Sequence, residues 1–449
     1  MSKKVPIVAI VGRANVGKSS LFNTIIGHRE AIVANEPGTT RDSIMSKATF
    51  SGQDFWLIDT AGMKDAEDDF EFTIQEQIIQ AADSADIIMV MVEADVMITE
   101  EDRRVAKLAL KSRKPVILIV NKIDKNVRVD LDDYRKLGIK EIFGTSTTQR
   151  SGVEELLEDL TKKLPKASIK VEDNRLRIAI LGRPNVGKSQ LFNTLAKKQQ
   201  AIVADKAGTT RDVNRTIIKY AGREIELLDT AGIRKNGKIE VGVEKFSVIR
   251  SLAAIEQADI CFLLIDVNDL TVQLDQKIGG IIKDAGKGMA LVVSKWDSVQ
   301  EKDAFTRDDL APKVKYQFEF APWAPLIFTS SITGQNVSKL FELALEIDTN
   351  RQKKITTGEL NRWLRACVDA HPTAGLKNSY QRLNYITQTD DETPTFKVFG
   401  SKTKLLHWSY KRYLERQLRE KYGFEGTAVK FYFSEKHEHQ PNAPKPRGR

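Results

Sequence analysis

Residues 12–19 read Gly12-Arg13-Ala14-Asn15-Val16-Gly17-Lys18-Ser19, and residues 182–189 read Gly182-Arg183-Pro184-Asn185-Val186-Gly187-Lys188-Ser189. Each stretch follows an apolar run typical of a buried strand and precedes a segment with helical character. A glycine-rich loop in this position lets backbone N–H groups surround a phosphate at the positive end of a helix. The lysine reaches the outer phosphates, and the serine hydroxyl binds Mg²⁺. The sequence therefore predicts two phosphate-binding loops, with Lys18, Ser19, Lys188 and Ser189 in these roles.

Two further motifs recur at the same offset of 170 residues. Residues 31–42 read AIVANEPGTTRD and residues 201–212 read AIVADKAGTTRD, while Asp59-Thr60-Ala61-Gly62 recurs as Asp229-Thr230-Ala231-Gly232. A fixed offset of this length indicates a duplicated domain rather than a short solenoid repeat. Within each copy, short apolar runs alternate with helical segments. This pattern predicts an α/β fold with a mainly parallel sheet and a ligand at the carboxyl ends of the strands.

The duplication and the changes in composition divide the 449 residues into five parts. We predict a first nucleotide-binding domain over residues 1–165, a polar linker over 166–174, a second nucleotide-binding domain over 175–350, a third domain over 351–435 and a basic tail over 436–449. The tail is rich in Pro, His and Arg, as is typical of disordered segments.

The net charge of +9 is concentrated in the third domain and the tail. Residues 351–449 contain 20 Lys and Arg against 10 Asp and Glu, so the rest of the chain carries about −1. A basic region of this kind indicates a polyanionic partner such as RNA. The candidate contacts lie on a helix over residues 410–421 and in the tail: Lys411, Arg412, Arg416, Arg419, Lys445, Arg447 and Arg449. A solvated helix face is the alternative interpretation.

The cysteine content and hydropathy indicate a soluble cytoplasmic protein. Cys261 lies inside an apolar run, which favours a buried hydrophobic role over a metal ligand or a nucleophile, and Cys367 lies far from it in sequence. No apolar run approaches 18 residues, so we expect neither a membrane span nor a signal peptide.

The nucleotide base bound by the first site is predicted to be guanine. The prediction rests on Asn121-Lys122-Ile123-Asp124, which directly follows an apolar strand. A carboxylate accepts two hydrogen bonds from guanine, whereas adenine lacks that pair of donors, and an unpaired buried group costs several kcal/mol. The second copy reads Ser294-Lys295-Trp296-Asp297. Asp297 keeps the guanine preference, but Ser294 lacks the amide that could tie the base to the phosphate loop. We therefore predict weaker nucleotide binding at the second site. Asp124 and Asp297 disfavour an ATPase.

The remaining candidate residues surround the phosphates and the base. Asp59 and Asp229 are expected to hold Mg²⁺ through water, and Gly62 and Gly232 offer a backbone N–H to the γ-phosphate. Thr40 and Thr210 lie in polar loops that could close on Mg²⁺. Backbone amides against guanine O6 are predicted from two pairs: Ser146-Thr147 and Ser330-Ser331.

Slow intrinsic hydrolysis is expected at both sites. The residue after each Asp-x-x-Gly motif is hydrophobic, Met63 in the first copy and Ile233 in the second. Neither side chain can orient a water molecule as the glutamine of Ras-like enzymes does. Hydrolysis would then need another source of charge neutralisation.

At this point the motifs resemble those of the Der (EngA) family, bacterial GTPases with two Era-like G domains and a C-terminal KH-like domain. The third domain contributes its own matches, Tyr385-Ile386-Thr387-Gln388, Pro394-Thr395-Phe396 and Gly423-Phe424-Glu425-Gly426-Thr427. The resemblance implies GTP/GDP and Mg²⁺ as ligands, and hydrolysis coupled to assembly of the large (50S) ribosomal subunit through rRNA contacts. It also implies K⁺ stimulation through Asn15 and Asn185, and we expect a monomer.

Several residues depart from the family pattern. Ala14 stands in place of the usual proline, and Thr147 and Ser331 in place of the usual alanine, while Ser294 is the substantive departure. Gly423-Phe424-Glu425-Gly426 matches the GxxG of an RNA-clamping loop, but a glycine cap and turn is the favoured interpretation because a helix precedes it. A nucleotide-gated binding module with one hydrolysing and one structural G domain remains the alternative function. A tRNA-modification GTPase is less favoured, because such proteins carry one G domain and a C-terminal catalytic cysteine.

Overall fold

A computed structural model describes residues 5–27, 45–60, 85–125, 129–165, 175–198, 214–229, 251–303, 305–373 and 381–435. Within these ranges the chain forms two six-stranded sheets and one three-stranded sheet. In the same ranges, no helix is both long enough and apolar enough to cross a membrane.

The first sheet has the strand order β2-β3-β1-β4-β5-β6. Its strands are β1 Ile7–Val11, β2 Met45–Phe50, β3 Gln53–Asp59, β4 Ile87–Glu93, β5 Val116–Asn121 and β6 Ile142–Thr145. Its helices are α1 Lys18–Ile26, α2 Glu100–Lys111 and α3 Val153–Lys163. Strands β1 and β4 are buried along their whole length, as expected for parallel strands covered on both faces. Strand β2, which pairs antiparallel with β3, was not predicted.

The second sheet repeats this arrangement with the order β12-β11-β10-β7-β9-β8. Its strands are β7 Leu176–Leu181, β8 Asn214–Tyr220, β9 Arg223–Asp229, β10 Ile260–Asp266, β11 Gly288–Ser294 and β12 Leu326–Phe328. Its helices are α4 Lys188–Lys198, α5 Gln273–Asp284, α6 Thr306–Gln317 and α7 Lys339–Gln352. Cys261 is fully buried in β10, and burial raises the pKa of its thiol to about 12. The hydrophobic role predicted for Cys261 is confirmed.

The third domain has the order helix, strand, strand, helix, strand. It comprises α8 Thr357–Ala370, β13 Arg382–Gln388, β14 Thr395–Ser401, α9 Trp408–Tyr422 and β15 Lys430–Ser434. Strand β14 pairs antiparallel with β13 and parallel with β15. Helix α8 begins with a capping box between Thr356 and Glu359, which satisfies backbone N–H groups of its first turn. This α+β arrangement agrees with the C-terminal KH-like domain that the resemblance implies.

The Gly423-Phe424-Glu425-Gly426 segment is a turn with Phe424 and Gly426 buried, and it joins the third domain to the second G domain. Gly423 (φ 84°) ends α9, and its N–H donates to Arg419 O at 2.8 Å. Gly426 O accepts a hydrogen bond from Met289 N at 2.8 Å. A Cβ on Gly426 would lie 2.2 Å from Ile347 Cγ1, so only glycine permits this approach. The cap-and-turn interpretation is confirmed.

The two G domains meet at a buried carboxylate. Glu256 lies in the helical segment 251–257 and is 3% exposed. It accepts hydrogen bonds from the Trp56 indole N–H at 2.6 Å and from Val5 N at 3.2 Å. Lys287 Nζ donates to the backbone oxygen of Glu256 at 3.2 Å. Because a buried charge is costly without partners, these bonds favour one relative placement of the two G domains.

Candidate nucleotide-binding sites

The two phosphate loops share a left-handed backbone at the asparagine and at the second glycine of the motif. Asn15 (φ 65°) and Gly17 (φ 101°) are left-handed in the first loop, as are Asn185 (φ 62°) and Gly187 (φ 100°) in the second. This conformation turns successive N–H groups toward one point, which suits an anion at the start of the following helix. A Cβ on Gly17 would lie 2.4 Å from Asn121 Nδ2. Glycine at this position therefore allows Asn121 to approach the loop closely.

The lysine of each phosphate loop folds back and donates hydrogen bonds to carbonyl groups of its own loop. Lys18 is only 4% exposed, and its Nζ donates to Gly12 O at 2.8 Å and Arg13 O at 2.5 Å. Lys188 Nζ repeats these bonds in the second loop. Each ammonium group is therefore held beside the backbone amides, where it can contact an outer phosphate.

The acidic residue after β3 lies beside the first phosphate loop. Asp59 is fully buried and is in register with Ile10 at the end of β1. Thr60 Oγ1 donates to Ile10 O at 2.8 Å. In the second sheet Asp229 ends β9 in register with Ile180. Ser19 and Ser189 lie in the first turns of α1 and α4, next to these carboxyl ends. Serine hydroxyls and carboxylates are ligands that Mg²⁺ accepts, so the residues present fit the ion.

The other predicted phosphate-side residues lie outside the described residues. They are Thr40, Ala61, Gly62, Met63, Thr210, Thr230, Ala231, Gly232 and Ile233. Their roles stay predictions.

The predicted guanine motif contacts the phosphate loop in the first site. Asn121 is fully buried. Its Nδ2 donates to Val16 O at 2.9 Å, and its Oδ1 accepts from Thr145 Oγ1 at 3.1 Å. An amide nitrogen carries two protons, so one remains for a ring nitrogen of the base. Lys122 Nζ donates to Asn15 O at 3.1 Å.

In the second site Ser294 keeps the contact between the guanine motif and the phosphate loop, although it lacks the amide that could also tie the base to that loop. Ser294 Oγ donates to Val186 O at 2.7 Å, which is the counterpart of the bond from Asn121 to Val16. A short hydroxyl suffices because β11 brings the serine directly against the loop. What is missing is a second donor, since a hydroxyl has a single proton. Weaker binding at this site remains a prediction, and the missing second proton is its physical reason.

The carboxylates of the two guanine motifs differ in their surroundings. Asp297 accepts a short hydrogen bond from Ser330 Oγ, while Asp124 is exposed. Trp296 replaces Ile123 and packs edge-on against Phe328, with 4.9 Å between the ring centroids.

The serines of the predicted O6-binding pairs use their own amides elsewhere. Ser146 N donates to Ser151 O at 3.0 Å, and Ser330 N donates to Gln335 O at 3.2 Å. Of the two residues in each pair, the structure thus favours Thr147 and Ser331 as the amide donors to the base. The serines position the loops instead.

Glu93 links the phosphate loop to the guanine motif, a connection that the sequence analysis missed. It accepts from Arg13 Nη2 at 2.9 Å and forms a short ion pair with Lys122 Nζ. Its position at the end of β4, on the ligand edge of the sheet, is the signal that could have found it. Asp102 adds a second carboxylate, with Oδ1 3.5 Å from Arg13 Nε.

The second site divides the role of Glu93 between two carboxylates. Asp266 pairs with Lys295 at 2.6 Å, and Asp269 pairs with Arg183 at 2.7 Å. Burial alone would raise the pKa of Asp266, but hydrogen bonds from Lys295 and Asn268 lower it overall. Its carboxylate thus stays ionised as the partner of the motif lysine.

Asp275 occupies the position of Asp102 without its helix cap. Asp102 accepts from Thr99 N and Oγ1 at 2.9 and 2.8 Å, but Val272 stands where Thr99 would be. Burial raises the pKa of Asp275 to about 6, although the nearby Arg183 opposes the shift. The second site therefore keeps the charge of this contact but not its hydrogen bonds.

The cationic side chains of the basic helix α9 have different surroundings, some at the surface and one turned toward the interior. Lys411 Nζ lies 5.2 Å from the Phe433 ring centroid, and the Arg412 guanidinium lies 4.8 Å from that of Trp408, which is 45% exposed. Arg419 instead donates to Phe424 O and Thr427 O at 3.0 and 2.9 Å. The expectation that Arg419 contacts RNA is wrong, because it satisfies carbonyls of the turn that follows its helix.

Two parallel sheets, each with a phosphate loop after its first strand and a lysine–aspartate motif on the same edge, define a P-loop GTPase with tandem G domains. The model of the "50S ribosome-binding GTPase" family matches residues 7–122 and 177–295. The model of the C-terminal "KH-domain-like of EngA bacterial GTPase enzymes" matches residues 354–434. The chain belongs to the Der family of GTPases, and its fold and enzymatic class follow: it hydrolyses GTP.

Full-length relatives agree with this assignment. GTPase Der of Chloroflexus aggregans is 43% identical over 438 residues, covering 95% of this chain and 97% of that protein. GTPase Der of Herpetosiphon aurantiacus is 41% identical over 445 residues, covering 97% and 98%. Among solved structures, the G domain of the T. maritima FeoB iron transporter is 29% identical, with a TM-score of 0.27, covering 35% of this chain and 98% of that one.

Proposed function

We propose that the chain is a GTP-driven switch that acts in assembly of the large (50S) ribosomal subunit by contacting rRNA. The observation that carries this proposal is the direct joining of the KH-like domain to the second G domain through Gly426. A change at the nucleotide site can reach the third domain through that contact. The name of the matching family model, a 50S ribosome-binding GTPase, supports the choice of particle. We further propose that the protein is a cytoplasmic monomer.

In this proposal both sites bind GTP/GDP and Mg²⁺ in the same way. Lys18 and Lys188 contact the phosphates, and Asp124 and Asp297 read the guanine. Mg²⁺, when bound, neutralises phosphate charge. The serine and threonine hydroxyls would hold the ion directly, and the two Asp-x-x-Gly aspartates would hold it through water: Ser19, Thr40, Ser189, Thr210, Asp59 and Asp229.

The exposed cations and aromatic rings of the third domain support RNA as the partner. Lys411, Arg412 and Arg416 lie along α9, and the Arg412 guanidinium lies 4.8 Å from the centroid of the Trp408 ring, which is 45% exposed. Cations bind phosphates, and exposed rings stack on unpaired bases. This combination is more specific to RNA than a solvated charged face.

The proposal is tested by cosedimentation of the full chain with purified ribosomal subunits in GDP, GTP and a non-hydrolysable GTP analogue. We expect binding to the large subunit that is strongest with the analogue and weakened by Lys411→Glu/Arg412→Glu. The matched control is Lys162→Glu/Lys313→Glu, two exposed lysines on other faces. Ribosome binding that depends neither on the nucleotide nor on the α9 substitutions would contradict the proposal of a GTP-driven switch.

We also propose that Asn15 and Asn185 bind K⁺, which supplies the positive charge that Met63 and Ile233 cannot. Both asparagines have a left-handed backbone and exposed side chains within the phosphate loops, which supports this role. Replacing K⁺ with Na⁺ at constant ionic strength is expected to lower GTP turnover about tenfold or more, as loss of a charge-stabilising group does. Asn15→Ala/Asn185→Ala should remove the difference between the ions. Equal wild-type rates in both salts would exclude the K⁺ site.

A second candidate is a nucleotide-gated ribosome-binding module whose first G domain hydrolyses GTP while the second stays occupied. Ser294, with its single donor proton, favours this candidate. The bond from Ser294 to Val186 argues against it, because the second loop is held as the first is.

A further inference from the structure

Helix α2 of the first G domain presents a basic face that the overall charge conceals. Residues 103–114 contain six cationic residues and no acidic residue, although residues 1–350 carry a net charge of about −1. The six are Arg103, Arg104, Lys107, Lys111, Arg113 and Lys114. The nucleotide-binding roles proposed above use none of them.

Part of this face lines an open groove of about 510 Å³ between α2 and the 3₁₀ helix Leu131–Leu137. The groove is lined by Arg103, Lys107, Leu110, Lys111, Lys136 and Leu137. Four of its six lining residues are cations, and the partly exposed Leu110 gives it an apolar floor.

The cations of the groove are weakly compensated. Arg103 lies 3.9 Å from Glu100, and Lys136 lies 3.4 Å from Asp133, both in exposed pairs that contribute little. Lys107 and Lys111 are exposed and form no ion pair with any described residue. Most of the positive charge of the groove is therefore not compensated by nearby carboxylates and can interact with a partner.

The spacing of the cations suits a linear polyanion. Arg103, Lys107 and Lys111 are four residues apart, so they form a row along the helix axis in steps of about 6 Å. A single phosphate or carboxylate would use only one or two of them. A phosphodiester backbone can contact the whole row, and its riboses can lie on the leucines.

The matching helix of the second G domain shows that the fold does not need these cations. Aligned through Asp102 and Asp275, the positions of Arg103, Lys107 and Lys111 are occupied by Gln276, Gly280 and Asp284. Helix α5 keeps the same place beside its sheet without the basic row. The charge on α2 thus calls for a function of its own.

The basic row also begins next to the nucleotide site. Asp102 precedes Arg103, caps α2 through Thr99 and lies 3.5 Å from Arg13 of the phosphate loop. A partner in the groove would therefore contact the helix whose first turn touches that loop.

We propose that this groove is an RNA-binding surface on the first G domain, separate from the KH-like domain, that binds the phosphodiester backbone. Its test uses the full chain, a fluorescein-labelled hairpin RNA and fluorescence anisotropy over a range of salt. Lys107→Glu/Lys111→Glu is expected to weaken binding about tenfold or more at low salt and to reduce the salt slope by about 2, since each lost phosphate contact removes about one unit. GTP turnover without RNA should be unchanged.

The matched control is again Lys162→Glu/Lys313→Glu, which makes the same change in net charge at exposed lysines that form no ion pair with a described residue. An equal loss in the control would overturn the proposal, because the effect would then come from net charge. Unchanged RNA binding by the groove variant would also overturn it. In a competition experiment, poly-glutamate is added to the wild-type complex at a charge concentration equal to that of the RNA. Displacement of the RNA would also overturn the proposal, because it would indicate an acidic protein as the partner. The proposed function is tested by GTP turnover and by ribosome cosedimentation of the α9 variant. The groove is tested by RNA binding of the Lys107→Glu/Lys111→Glu variant, so the two proposals can fail independently.

Discussion

Replacing Lys18 with alanine is expected to lower GTP hydrolysis at the first site by about 10²–10³-fold, the cost of removing one preorganised positive donor from a phosphoryl-transfer site. The ammonium is buried within the loop and held by Gly12 O and Arg13 O. The other cation of this loop, Arg13, is engaged by Glu93 and Asp102 and is not free to replace it. Lys188→Ala should have the same effect at the second site.

The two variants together decide how many sites turn over. Initial rates of phosphate release are measured for wild type, Lys18→Ala, Lys188→Ala and the double variant, with Lys162→Ala as a surface control. If both sites hydrolyse GTP, each single variant keeps the rate of the other site, and the double variant keeps almost none. A Lys188→Ala rate equal to that of wild type would identify the second site as structural. Wild-type turnover by the double variant would contradict the lysine assignment altogether.

The parts of the fold that the sequence predicted are those specified by local rules. Buried parallel strands such as β4 and β10 are continuous apolar runs, and these remain recognisable without knowledge of their neighbours. The conformation of the phosphate loops could be predicted in the same way, since positive φ at Gly17 and Gly187 follows from the motif itself. The C-terminal turn was also predicted, because a glycine after a helix end has a local explanation.

The parts that were missed depend on contacts between distant residues. Glu93 and Arg13 are 80 residues apart, and Trp56 and Glu256 are 200 apart, so no local pattern links them. Arg419 looks like its exposed neighbours in sequence, and only the placement of the Phe424 and Thr427 carbonyls turns it inward. Strand β2 alternates between buried and partly exposed residues at a sheet edge, where the apolar signal is weakest.

Asp124→Asn is expected to lower GDP affinity at the first site by roughly 10³-fold or more, and Asp297→Asn to do the same at the second. An asparagine presents an N–H where guanine also presents donors, so polar groups of the base lose their partner. Xanthine carries an oxygen in place of the 2-amino group, and it should accept from the new amide. Each variant chain should then bind one GDP and one XDP by titration calorimetry. Two GDP molecules bound with wild-type affinity would contradict the assignment of these carboxylates.

The same pair of variants isolates the effect of Ser294. Asp297→Asn reports GDP binding at the first site alone, and Asp124→Asn reports it at the second. The Ser294 proton is committed to Val186 O, whereas Asn121 retains a second proton after its bond to Val16. Loss of one base hydrogen bond of about 1 kcal/mol predicts GDP binding several-fold weaker in Asp124→Asn than in Asp297→Asn. Ser294→Asn in the Asp124→Asn background should restore it. Equal affinities at the two sites would mean that holding the phosphate loop is all that this position contributes.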